Sequence, residues 1–228
     1  MTILEHLEEL RQRIIIAGIA LICGMAISAF FLVQRVMEWL VALRPANAAI
    51  ININPPEVFT AYLKVALFTG TALAMPVLLY EGLMFVLPAL TPKEKRYTYI
   101  AVPGATLCFL LGVAFGYYVL VPAALAFLGG FSDNLIQPMW SIGPYLSFIT
   151  TFLFWIGVAF EMPLVIFFLA KLHVVNARQL ASYRKYAFLA AFVVAAVITP
   201  TPDPFNQTLV AAPLYLLYET GVFLARWA

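Results

Sequence analysis

Glu161 stands alone in an otherwise uncharged run from Tyr145 to Ala170, with no cation within nine residues on either side. A carboxylate at membrane depth costs several kcal/mol and persists where a partner or a water-filled pocket receives it. Other charged residues are grouped. Glu8 and Glu9 precede Arg11 and Arg13, and Glu94 lies among Lys93, Lys95 and Arg96. Asp203 and Gln207 flank Pro204, where they can cap a following helix. Each has a plain structural alternative. Glu94 completes a Thr91-Pro92-Lys93-Glu94 capping box, and Glu9 is one turn from Arg13. Glu161 could be buried in protonated form or paired with Lys64. The Glu8-Glu9 and Arg13 spacing matches one family of membrane proteases, but His6 and His173, the two histidines, both fall in polar segments. Two distant histidines make no metal site. No GxxxxGK[ST] or GxSxG stretch is present, so neither nucleotide hydrolysis nor a serine nucleophile is expected. No enzyme activity, cofactor or metal is expected.

These groups sit in a chain of 228 residues that is 64% hydrophobic and 11% charged. Soluble domains carry roughly 25% charged residues, so the sequence is that of an integral membrane protein. A net charge of +2, spread along the chain, gives no reason to expect nucleic acid. Cys23 and Cys108 lie in apolar runs and read as small packing residues. A span needs roughly 20 apolar residues. Runs of that kind predict helices at about 14–33, 58–80, 99–121, 145–170, 186–198 and 205–225. The fold expected is all-α: one domain, 1–228, with six transmembrane helices in a concave bundle.

Cations fix the expected orientation. Arg11, Arg13, Lys93, Lys95, Arg96, Lys171, Arg178, Arg184, Lys185 and Arg226 fall on one side, against Arg35 and Arg44 on the other. Both termini are therefore expected in the cytoplasm. Residues 1–13 have apolar positions at helical spacing and predict an amphipathic arm on the inner face that then turns into the membrane. The fifth helix rises only about 20 Å before Thr199-Pro-Thr-Pro-Asp-Pro204 stops it. That shortness predicts a locally thinned bilayer or a water-filled depression, with Asp203 brought close to the depth of Glu161. Gly70-Thr-Ala-Leu-Ala-Met-Pro76 and Gly157-Val-Ala-Phe-Glu-Met-Pro163 form a weak repeat, with Ala74 standing where the second copy has Glu161.

Four segments, His6-Leu-Glu-Glu-Leu-Arg-Gln-Arg13, Pro88-Ala-Leu with Glu94-Lys-Arg96, Phe160-Glu-Met-Pro163 and Pro202-Asp-Pro-Phe-Asn-Gln207, resemble the TatC family. The resemblance runs from first helix to last. It implies a bacterial cytoplasmic (inner) membrane protein: the receptor subunit of the twin-arginine translocase, exporting folded proteins with the proton motive force. It implies binding of twin-arginine signal peptides at the cytoplasmic face, TatA/TatB-type single-spanning partners, and self-association in the receptor complex. By the same resemblance Glu9 and Glu94 contact the paired arginines, and Phe85 and Pro88 line the neighbouring loop; from its isolation in an apolar run Glu161 is expected to meet a polar residue of a partner helix, and Asp203 and Gln207 are expected at the periplasmic corner. The chemistry suits arginine, whose planar fork pairs with carboxylates in a way lysine copies poorly. The rival reading is a proton-coupled secondary transporter of a small solute using Glu161, for which inverted repeats are not evident.

Overall fold

The computed structural model describes residues 3–46, 48–86, 92–130, 139–199 and 203–227, with side chains left aside at 3–6, 86 and 92–100. Four stretches are long and apolar enough to cross a membrane: Leu7–Ala42, Glu57–Phe85, Ala101–Gly130 and Ile142–Lys171. The first is α1 (Ile3–Ile27), a π-helical turn (Ser28–Leu32) and α2 (Val33–Ala42) end to end. The described part of the expected amphipathic arm and the first apolar run thus form one continuous helix, α1. No proline or glycine falls between Glu5 and Ala17, so an established helix has nothing to stop its propagation.

α3 (Glu57–Val86) returns antiparallel along α1, the most extensive helix pairing among the described residues. Two glycines explain how close they come. A Cβ on Gly24 would lie 2.4 Å from the Gly70 carbonyl oxygen, and one on Gly70 would lie 2.5 Å from Met25 backbone atoms. Backbone touches backbone there, as small residues permit in membrane helix pairs. That crossing fixes the register of everything above and below it.

α4 (Pro92–Phe115), a second π-helical turn (Gly116–Leu120) and α5 (Val121–Gly130) form the next unit. A π turn leaves carbonyls without their usual helical partners, and tyrosine supplies one of the replacements. The Tyr62 hydroxyl donates to the Ala29 carbonyl. Near the same end of the bundle, Tyr117 donates to Trp39 O at 3.0 Å and Tyr145 to Leu40 O at 2.9 Å. A short parallel ladder, β1 (Ala49–Ile51) on β2 (Met139–Ser141), joins the loops that lead into the second and fourth of these long stretches. The fold is thus mostly, not wholly, α-helical.

α6 (Ile142–Phe160) and α7 (Met162–Lys171) make the central unit. Leu146, Ile149, Phe152, Leu153 and Ile156 are buried against residues of α2, α3, α5 and the last two helices. The expected continuous helix over 145–170 is broken at Glu161. α7 closes in a left-handed residue, His173 (φ 58°), with His173 N–H on Ala170 O and Val174 N–H on Leu169 O. That pair of bonds is a Schellman cap, normally given to glycine.

α8 (Ala177–Ser182) opens with a capping box of Asn176 and Gln179. α9 (Arg184–Ile198) and α10 (Pro204–Leu224) form the last hairpin. With 15 residues α9 rises about 22 Å, well short of a ~30 Å hydrocarbon core. The hairpin is pinned by Arg184 on Glu219 (2.8 Å), by Phe188 against Tyr215, and by Gln207 Nε2 donating to Phe192 O (3.1 Å). The sequence places Glu219 nearest Arg226; in the fold its partners are Arg184 and the Tyr215 hydroxyl.

Candidate functional site

The Gly24–Gly70 crossing sets α1 and α3 in a register that brings residue 13 opposite residue 81. Arg13 Nη1 donates to Glu81 Oε2 at 2.9 Å, and its Nε donates to Glu9 Oε1 at 3.0 Å. Arg13 Nη2 also goes to Glu9 Oε1. One guanidinium therefore sits between two carboxylates and leaves the trio one negative charge in excess. Glu9 is half-buried whereas Glu8 is exposed, so of the two neighbours Glu9 is the one held by the fold. Both donors from Arg13 land on Oε1. Glu9 Oε2 is buried and has no hydrogen-bond partner among the described residues. A buried acceptor left unpaired costs roughly 1–3 kcal/mol and calls for an explanation.

Glu81 is only 8% exposed, and its pairing to Arg13 spans 68 residues of sequence. Nothing local in the sequence names this partner. The signal was there in two glycines at mutually consistent distances, Gly24 eleven residues past Arg13 and Gly70 eleven before Glu81. Phe85, one turn beyond Glu81 on α3, is half-buried. Glu94 belongs to the first turn of α4, but its side chain lies outside the described residues, as does Pro88 altogether.

Glu161 forms a second polar centre. It occupies the one-residue joint between α6 and α7, 8% exposed, with Oε1 buried and unpartnered. Its own N–H bonds Val158 O at 3.1 Å, a tightened turn, and its carbonyl accepts from Leu164 and Val165. Cys108 of α4 is within its electrostatic range. Lys64 does not pair with it: the ammonium donates to Ser147 Oγ at 2.9 Å, fourteen residues before Glu161 along α6.

Asp203 and Gln207 are not at Glu161's depth. A Cβ on Gly221 would approach Pro163 Cα to 3.3 Å, which places Glu161 level with the inner part of α10. Asp203 is the N-cap at the far end of α10, roughly 25 Å away along the helix axis. The expectation failed because it took a short α9 to mean a deep corner, while the packing of α7 on α10 sets the depth. Asp203 Oδ1 accepts from Asn206 N–H and Oδ2 from Asn206 Nδ2, so it does cap the helix, and Gln207 ties α10 to α9.

The chain matches the family model for the Sec-independent protein translocase protein (TatC) over residues 5–213. A Sec-independent protein translocase protein TatC of Carboxydothermus hydrogenoformans is 38% identical, with 100% of this chain and 93% of that protein aligned. The TatC of Aquifex aeolicus is 40% identical over 100% of this chain and 96% of its own length. A crystal structure described as the twin arginine translocase receptor TatC superposes with a TM-score of 0.86 at 40% identity, covering 97% of this chain and 98% of that one.

Proposed function

We propose, for a chain that belongs to the Sec-independent protein translocase (TatC) family, that Glu9 and Glu94 receive the paired arginines of a signal peptide at the cytoplasmic face. The protein is the receptor subunit of a translocase, not an enzyme, and the transporter reading draws no support from its relatives. It lies in the bacterial inner membrane with both termini inside, where the arm, the end of α3 and the start of α4 share one face.

One observation carries the arginine reading: the free Oε2 of Glu9. Arg13 occupies Oε1 from one side and is itself held by Glu81 from the other. The carboxylate is oriented but only half used, in a trio with negative charge to spare. An incoming guanidinium finds an acceptor already stripped of water, and the charge-assisted bond compensates an orphaned group. Phe85 and Pro88 would border the peptide. Glu161, which is not part of the Glu9 trio, is assigned to the docking of a TatA/TatB-type transmembrane helix, and Asp203 and Gln207 hold the outer corner. Copies of the receptor associate in the working complex.

The test is peptide binding to the purified protein. Glu9→Gln and Glu94→Gln keep shape and remove charge, and each should weaken a twin-arginine peptide by roughly 1.5–3 kcal/mol. A twin-lysine peptide should bind the native protein less tightly. Normal binding by both Gln variants would remove these residues from the role.

A further inference from the structure

We propose that the cavity between α8 and the inner end of α10 is a binding site for the phosphate of an anionic phospholipid. It is a space of about 750 Å³ lined by Asn176, Arg178, Gln179, Ala181, Ala225 and Arg226, among others. The inference is independent of the peptide reading, since none of these residues belongs to the Glu9 trio.

Charge comes first. Arg178 and Arg226 both border the space, and neither makes an ion pair among the described residues. The nearest acid along α10, Glu219, is already held by Arg184 and the Tyr215 hydroxyl. Asn176 and Gln179 spend side-chain groups on each other's backbone in the capping box. Among the described residues the cavity therefore presents two guanidinium forks without an ion pair and no carboxylate in its lining, the donor set suited to a phosphate.

Position selects the source of that phosphate. Arg226 follows a 21-residue membrane helix directly, and its neighbours Phe223 and Trp227 are exposed with rings 6.3 Å apart. Exposed aromatics beside an arginine at a helix end mark headgroup level, and basic pockets between membrane helices on this side take anionic headgroups. A free phosphate would meet only two exposed arginines in a high dielectric. A lipid arrives already confined to the plane of the pocket, with its tails against Phe223, so its effective concentration is far higher.

The experiment is native mass spectrometry of the full chain in detergent, titrated with dioleoylphosphatidylglycerol and, separately, dioleoylphosphatidylcholine. The glycerol lipid should bind in preference. Arg178→Gln and Arg226→Gln should each weaken it about fivefold, and the double variant should fall to the choline-lipid level. The double Lys variant should retain most of the binding, which separates a charge effect from misfolding. Arg35→Gln, on exposed α2 surface, should change nothing. Equal binding of the two lipids by native protein, or native-like binding by the double Gln variant, overturns the proposal. Displacement of the lipid by an equal concentration of glycerol phosphate would make the ligand a free anion, and displacement by an oligoglutamate peptide would make it a partner's acidic segment. Either result also overturns it.

Discussion

Gly70–Pro76 and Gly157–Pro163 share glycine, alanine, methionine and proline at the same places, and each lies in the helical segment that follows one strand of the ladder. The first stays helical throughout: α3 passes through Pro76 unbroken. The second breaks at Glu161, two residues before Pro163, where one tightened turn ends α6 and α7 begins. The glycines differ in what they touch. Gly70 meets the backbone of α1, whereas Gly157 meets the Phe109 ring and Val113 of α4. At the fifth position Ala74 is 4% exposed and Glu161 8%, so both sites are buried and only one holds a carboxylate. Proline therefore does not dictate the break, and burial at that position does not require an acid. What separates the copies is the acid together with its interrupted backbone, as expected for a residue kept for a partner.

The largest effect should come from making the copies alike. Ala74→Glu puts a carboxylate where α3 provides no joint and no spare donor, and should destabilise the fold by about 3 kcal/mol, read by denaturant unfolding in detergent. A stable Ala74→Glu protein would mean that the segment tolerates an acid anywhere, and Glu161 would lose its distinction. Next come the glycines. Gly70→Ala drives a methyl into Met25 backbone and should cost about 2–3 kcal/mol. It should also part Arg13 from Glu81 and so weaken twin-arginine peptide binding. Gly157→Ala meets the buried Phe109 ring and a Val113 methyl rather than backbone, should cost less, about 1–2 kcal/mol, and should leave peptide binding intact; equal penalties would show the two contacts to be equivalent.

Glu161→Ala should leave folding and peptide binding unchanged while lowering recovery of partner helices, by an interaction worth roughly 0.6–2 kcal/mol. Glu161→Gln should keep more, because an amide can still hydrogen bond. Copurification alongside peptide binding checks both; lost peptide binding with normal partner recovery reverses the roles. The smallest effects should be opposite in sign. Pro76→Ala restores a donor to the Ala72 carbonyl inside α3 and should stabilise by about 1 kcal/mol. Pro163→Ala sits in the first turn of α7, where no helical partner is missing, and should cost about 0.5 kcal/mol by loosening the unfolded chain.

Hydropathy made the long runs legible because the bilayer imposes one length on them all. It could not show the π turns, the first of which gives its Ala29 carbonyl to Tyr62 of another helix, nor a ladder of three residues per strand. The capping box at Asn176 and Gln179 was legible because its parts are three residues apart. Glu9 was legible as a candidate, but Glu81 as the anchor of its arginine was not, since only the Gly24–Gly70 contact brings the two together. Asp203 and Glu161 were misjudged for a related reason: depth is set by which helix packs on which.

α1 has no joint between the residues that carry Glu9 and those that face lipid, and its 25 residues make a rod about 37 Å long. Mechanically, the inclination of its inner third and that of its outer third are one variable. Because Arg13 clamps the rod to Glu81 near one end and Gly24 rests on Gly70 toward the other, two points fix both its tilt and its rotation about its own axis. A third point of attachment, supplied at Glu9, can stiffen the rod's seating but has no independent angle left to choose.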